Sequence, residues 1–177
     1  MALVRVAIYG CGQFANRTHI PNLMKFDDVE IVAICDSDAK QLQSTAEAFN
    51  ISQTYQDGHE LLDNEEIDAL YSIVPAYTRT DIEATAATKG IHIFSEKPQA
   101  LTTEVGNKMD SAIRQSGVIS TVGFRERYRP IFQEARKHLE GKEIVHLRFQ
   151  SFGGLPGPRS DSWWSQMEKS GGNALDW

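Results

Sequence analysis

Short apolar runs alternate with amphipathic stretches along most of this chain, and the alternation predicts its elements. Val4–Tyr9 is an apolar run stopped by Gly10, as expected of a buried parallel strand. A helix is predicted from Gly12 and Gln13, turning Phe14, Ala15 and Ile20 inward until Pro21 interrupts it. Val29–Cys35 (VEIVAIC) reads as a second buried strand. After it, Asp36-Ser37-Asp38 offers capping chemistry to a helix whose Leu42, Ala46 and Phe49 share one face. Tyr55 marks a short third strand, and residues 58–62 a small helix. Residues 69–74 (ALYSIV) form a fourth strand, closed by Pro75. A helix over residues 80–89 ends at Gly90, and residues 91–94 are the fifth strand. Helix Thr103–Ser116 stops at Gly117, and residues 118–122 complete a sixth strand.

Strands that alternate with helices in this way predict an α/β fold, a doubly wound parallel Rossmann sheet with right-handed crossovers. Residues 1–122 would complete it as one domain. Residues 123–177 read differently, as the start of a second, α+β domain. Helix Pro130–Leu139 aligns Ile131, Ala135 and Leu139, and residues 143–152 then alternate apolar and polar positions. Strict alternation predicts a strand with one wet face, and such a strand does not stand alone. Residues 153–158 form a Gly/Pro-rich loop.

A length of 177 residues accommodates one domain with a sizeable core, or one domain and part of another. The net charge of −6, without any Lys/Arg block, argues against nucleic acid or an anionic membrane as partner. Two cysteines, Cys11 and Cys35, make neither a disulfide framework nor a four-ligand zinc site. They fall near the ends of neighbouring strands, where small residues pack well beside a tight turn. No signal-peptide pattern or membrane-span-length apolar stretch occurs, so the expected location is cytoplasmic. The triplets at Asn16 and Asn50 are then chance matches to a glycosylation pattern.

The chemistry starts at Gly10-Cys11-Gly12-Gln13-Phe14-Ala15. The two glycines allow a tight strand-to-helix turn and close backbone approach to a pyrophosphate, and Ala15 substitutes for the third glycine of a dinucleotide fingerprint. Alone, the pattern is also compatible with a purely structural turn; here it follows a strand and opens a helix, the context binding requires. Asp36 closes the second strand, where a carboxylate accepts hydrogen bonds from the adenosine ribose hydroxyls and repels a 2′-phosphate. No arginine follows it, so NAD is favoured over NADP. The competing reading makes Asp36 a helix cap, a task open to Ser37 or Asp38. The five histidines pair with no nucleophile and show no metal-ligand spacing.

Taken with Glu96-Lys97-Pro98 and with the run Ser170-Gly171-Gly172-Asn173-Ala174-Leu175-Asp176-Trp177, the glycine motif resembles the glucose–fructose oxidoreductase/inositol dehydrogenase (Gfo/Idh/MocA) family. The likeness extends from residue 3 to 177. It implies an NAD(P)-dependent oxidoreductase that passes a hydride between a nicotinamide and a sugar, polyol or related hydroxylated substrate. Lys97 would contact both the substrate hydroxyl and the nicotinamide ribose, and Pro98 would stiffen its loop, where a cis bond is readily accommodated. The family's third motif reads D-x-x-x-H; Asp176 is its aspartate, and the histidine falls beyond Trp177. On a helix the two would lie one turn apart and grip one hydroxyl, the imidazole taking its proton. The resemblance also implies homo-oligomers assembled through the second domain. Arg127 matches an arginine of the family's crossover segment, with ligand binding and an interdomain ion pair both open.

One departure stands out. After the fourth strand the family commonly has Pro-Asn-x-x-His, whereas this chain has Pro75-Ala76-Tyr77-Thr78-Arg79. Trp163 and Trp164 suit a sugar-stacking wall and a domain core equally.

The candidate cofactor-binding residues are therefore Gly10, Gly12, Gln13, Phe14, Asp36, Pro75, Glu96 and Lys97, and the catalytic candidates Lys97 and Asp176. No metal is expected. A non-catalytic dinucleotide-binding module is the alternative for a natural chain ending at Trp177. A methyltransferase or other nucleotide-binding domain is disfavoured by the combination of Asp36 and Lys97.

Overall fold

A computed structural model describes residues 2–148, 150 and 163–172. Its centre is a six-stranded sheet in the order β3-β2-β1-β4-β5-β6. The strands are β1 (Val4–Tyr9), β2 (Val29–Cys35), β3 (Gln53–Tyr55), β4 (Ala69–Ser72), β5 (His92–Ser95) and β6 (Ser120–Val122), and every pairing is parallel. The expected doubly wound α/β sheet is what forms.

Helices cover both faces, which is why the inner strands are apolar at successive positions. Val6, Ile8 and Ile34 point to one side, against Ala15, Ile20 and Leu23 and against Leu42 of α2 (Ala39–Phe49). Ala7, Ala33 and Leu70 point to the other, against Leu61 and Leu62 of α3 (Gly58–Asn64) and Ile82 and Ala86 of α4 (Ile82–Thr88). Ile8 and Ile34 are fully buried, and each such side chain contributes about 1.5–3 kcal/mol. Caps set the helix ends. Asp38 accepts from the backbone N–H groups of Lys40 and Gln41 to start α2, and Asn50 ends it in the left-handed region at φ 54°. Thr102 caps α5 (Thr103–Ser116), and Gly117 stops it at φ +69°.

Three expectations fail in detail. Phe14 does not turn inward with Ala15 and Ile20; it is exposed, on a face of the helical run directed away from the sheet, beside the His19 ring. Pro21 does not end the first helix. A π-helical turn over Ala15–His19 precedes α1 (Ile20–Leu23), and Pro21 lies in the first turn of α1. A widened turn relaxes the i→i−4 ladder that a proline ring would otherwise clash with. The strand expected over residues 143–152 is not formed at 142–148, where Ile144, Val145 and Leu147 are exposed. No described segment pairs with it, and an unpaired strand leaves its backbone groups to water. Residues 149 and 151–152 of that expectation lie outside the described residues. α6 (Pro130–Leu139) forms as predicted, and a last short helix, α7, spans Met167–Ser170. No helix among the described residues is long and apolar enough to cross a membrane.

Candidate functional site

Parallel pairing brings several loops to one edge. Tyr9 is in register with Cys35 and with Ser72, Ser72 with Ser95, and Ser95 with Val122. The next residues, Gly10, Asp36, Ile73, Glu96 and Gly123, therefore leave the sheet side by side at its carboxyl edge. Strand order reverses direction at β1, which opens the crevice in which such sheets bind ligands.

Gly10 is demanded by the protein itself. It has φ +104°, and a Cβ there would sit 2.8 Å from the carbonyl oxygen of Ile73 and 2.8 Å from Val74 Cγ1. Gly12 is different, since a Cβ there would meet nothing within 4 Å. The fold's own packing does not ask for glycine at 12, and the space beside its backbone is open. Asn16 then orients the turn. Its Nδ2 donates to the carbonyls of Cys11 (2.6 Å) and Gly12 (3.1 Å), and its Oδ1 accepts from Thr45 Oγ1 at 3.1 Å. In a trans peptide C=O and N–H point oppositely. Holding those two carbonyls toward Asn16 turns the N–H groups of Gly12 and Gln13 to the other side, at the start of a helical run. That arrangement fits a pyrophosphate. Ala15 is fully buried, as the close helix–sheet packing requires.

Asp36 is half-buried and has a second task that the sequence did not reveal. Its Oδ2 accepts from the Cys11 backbone N–H at 2.7 Å and its Oδ1 from the Asp38 N–H at 2.9 Å. The carboxylate thus braces the glycine turn, and roughly half of its four acceptor positions remain open. The helix cap is Asp38, so the capping explanation of Asp36 falls away. Cys11 and Cys35 lie side by side, Cys11 Sγ 3.7 Å from the Cys35 carbonyl oxygen. Burial first, then the Asp36 charge, pushes both thiols up to about 12, so they stay protonated and inert at neutral pH.

On the other side of the crevice the turn Glu96-Lys97-Pro98 follows β5, with a cis bond before Pro98. The Glu96 carboxylate is closely surrounded. Its Oε1 lies 3.0 Å from His19 Nε2, its Oε2 accepts from the Lys97 backbone N–H at 3.1 Å, and a Cβ on Gly123 would stand 2.7 Å from it. His19 in turn packs edge-on against Phe14, with ring centres 5.0 Å apart, and at a tilt against Phe94 at 5.2 Å. Glu96 is thus tied to the first helical run and holds the turn; Lys97 itself is half-buried. Pro75 opens a 3₁₀ turn over Ala76–Thr78, its carbonyl accepting from both the backbone and the hydroxyl of Thr78.

Arg79, the departure after β4, is buried, as is Glu83 of α4. Arg79 Nη1 donates to Ser72 Oγ (2.8 Å) and to the Glu83 carboxylate, and Nη2 donates to the carbonyls of Val74 (3.1 Å) and Glu96 (2.8 Å). Ser72 Oγ also donates to Glu83 Oε1 at 2.6 Å.

Further along, Trp163 stands 5.8 Å from the Tyr77 ring, and Lys169 Nζ lies 5.6 Å over the same ring. The later segment is thereby docked on the loop after β4. Arg127 stacks over Phe124 at 5.1 Å, while Arg125 and Arg129 pair with Glu126. Gly171 and Gly172 both have positive φ after α7. Asp176 lies outside the described residues, and no group of three or more metal-ligating side chains occurs among those that are described. Asn16, Thr45, His19, Ser72 and Glu83 were missed as site residues. Each is a polar residue on an otherwise apolar helix face or strand end, a weak signal until the partner is known.

Comparisons with known proteins bear on the family and the fold. The oxidoreductase family with an NAD-binding Rossmann fold (GFO_IDH_MocA) matches residues 4–124. D-apiose dehydrogenase of Paraburkholderia graminis is 30% identical over 159 residues, covering 85% of this chain and 42% of that protein. NAD-dependent scyllo-inositol 2-dehydrogenase of Bacillus subtilis is 30% identical over 158 residues, covering 86% of this chain and 46% of its own length. Among solved structures, the WlbA dehydrogenase of Bordetella pertussis in complex with NADH and UDP-GlcNAcA superposes with a TM-score of 0.72 at 28% identity, covering 78% of this chain and 42% of that one. The chain spans less than half the length of each of these three relatives. With the family's match running from β1 to just past β6, and with the sheet order, glycine turn and Lys97 turn described above, this chain belongs to the Gfo/Idh/MocA family of oxidoreductases with an NAD-binding Rossmann fold.

Proposed function

We propose that the carboxyl edge of this sheet holds NAD, in preference to NADP, and that the whole protein uses it to oxidise or reduce a sugar, polyol or related hydroxylated compound. The observation that carries the reading is the glycine turn. Its outward N–H groups, braced by Asn16 and Asp36, stand on the same edge as the Lys97 turn. Gly10, Gly12, Gln13 and Phe14 take the pyrophosphate side. Asp36 accepts from the ribose hydroxyls, and Pro75 and Glu96 shape the nicotinamide side. When bound, the dinucleotide supplies the hydride acceptor. Lys97 donates a hydrogen bond to the substrate hydroxyl and holds it toward that acceptor. Asp176 assists in orienting it, and the histidine implied by D-x-x-x-H takes the proton. Residues 123–177 begin the substrate domain, through which the protein self-associates, and the protein works in the cytoplasm.

The test is a titration followed by an assay on the natural gene product. NADH is expected to quench tryptophan fluorescence saturably. A panel of inositols, aldoses and glucosides is expected to include one that reduces NAD, with a kcat about 10²–10⁴-fold lower for Lys97→Met. Failure of NADH to bind would overturn the whole reading. Binding without any NAD reduction across the panel would overturn hydride transfer and leave a dinucleotide-binding module.

A further inference from the structure

We infer that Arg79 is the positioning residue for Lys97, acting through the single peptide unit that joins Glu96 to Lys97. The role assigned to Lys97 rests on the reading above; the clamp itself rests on geometry.

The carbonyl of Glu96 and the N–H of Lys97 belong to one planar peptide. Arg79 Nη2 donates to that carbonyl at 2.8 Å, and the N–H donates to Glu96 Oε2 at 3.1 Å. The plane is fixed at both poles, so the N–Cα bond of Lys97, from which its side chain springs, is anchored with it. One residue earlier, the Glu96 N–H is held by the Ser72 carbonyl at 2.9 Å. The same guanidinium bonds Val74 O and Ser72 Oγ at the end of β4 and the Glu83 carboxylate on α4. One side chain thus couples the β4 loop, α4 and the Lys97 turn.

Only a planar fork with several donors makes these bonds together. Lysine offers a point charge that cannot span them, and methionine fills the volume and donates nothing. A charge pair with both side chains wholly buried is costly to desolvate, and a purely space-filling role would be served equally by apolar residues. What an apolar pair cannot supply is the bond to the Glu96 carbonyl. The loop after β4 is thus built as a clamp that arginine keeps charged at all working pH values.

The test compares wild type with Arg79→Met/Glu83→Leu, which removes both charges and keeps their volume, and with Arg79→Lys. Amide exchange is followed by NMR at Lys97 and, as an internal reference, at Ile8 in β1. In both variants the Lys97 amide is expected to exchange about tenfold faster or more relative to Ile8, as for a locally released loop. A loss of general stability would move the two amides together. Wild-type protection of Lys97 in the folded double variant overturns the inference; if that variant does not fold, wild-type protection in Arg79→Lys does so. A wild-type chain that binds no NADH would overturn the proposed function and leave this criterion standing.

Discussion

Arg79→Met alone is expected to cost the protein about 3–5 kcal/mol, the loss typical of a buried ion pair stripped of one partner. Glu83 is fully buried; without the guanidinium its carboxylate keeps only the Ser72 hydroxyl. Against a total stability of about 5–15 kcal/mol, that is enough to leave the variant marginal. Adding Glu83→Leu is expected to recover most of the loss, because the second change removes the stranded charge. Urea unfolding of wild type, both single variants and the double variant gives the coupling directly. A single-variant loss below about 1 kcal/mol, the range of exposed pairs, would show that the cluster is hydrated and not the sealed clamp described here.

The second large effect separates two glycines that the motif treats alike. Gly10→Ala is expected to destabilise by at least about 1–3 kcal/mol from backbone strain at φ +104°. Its new Cβ also presses on the carbonyl of Ile73, which is backbone and cannot turn aside. β1 and β4, the strands that border the crevice, would be pushed apart. Gly12→Ala meets no neighbour and is expected to leave stability within about 0.5 kcal/mol while weakening NADH binding. Thermal unfolding with NADH titration on both variants checks the pair. Equal stability losses at 10 and 12 would mean that Gly12 too answers to the fold's packing, and the main sign that a ligand approaches there would be gone.

The sheet was legible in the sequence because the pattern acts locally. Each inner strand is buried on both faces and so reads as a short apolar run, and Gly90 and Gly117 end their helices by a backbone preference that needs no tertiary partner. Pro21 was misread because its usual effect is overridden by the wider turn before it. The alternation at residues 143–148 was real as a pattern, but pairing needs a neighbour that no pattern within the segment supplies. At the site, the motif residues proposed to meet a ligand, Gly12 and Lys97 among them, could be named from the sequence. Most of those that hold them could not. Asn16 reaches the turn through a helix position, Glu83 on the first turn of α4 reaches back to Arg79 in the loop before it, and Arg79 reaches Glu96 across the sheet edge. The Asn16 and Glu83 bonds are local, five and four residues apart, but nothing in the spacing of either residue announces its partner; the Arg79–Glu96 bond spans 17 residues, and only the fold makes it. Arg79 was visible as a departure; its partners were not.

The proposal that this edge is built for NAD turns on Asp36. Its carboxylate braces the Cys11 N–H whichever dinucleotide is bound, so losing the brace weakens both cofactors. Only the proposed ribose contact would distinguish them. The direct measurement is therefore the affinity of wild type and Asp36→Ala for NADH and for NADPH under identical conditions. Loss of charge-assisted hydrogen bonds to the ribose is expected to weaken NADH by at least about tenfold, roughly 1.4 kcal/mol. NADPH is expected to lose less, because removing the carboxylate also removes its repulsion of the 2′-phosphate. An equal loss for the two would contradict the account, leaving Asp36 as a brace of the turn with no part in choosing the cofactor.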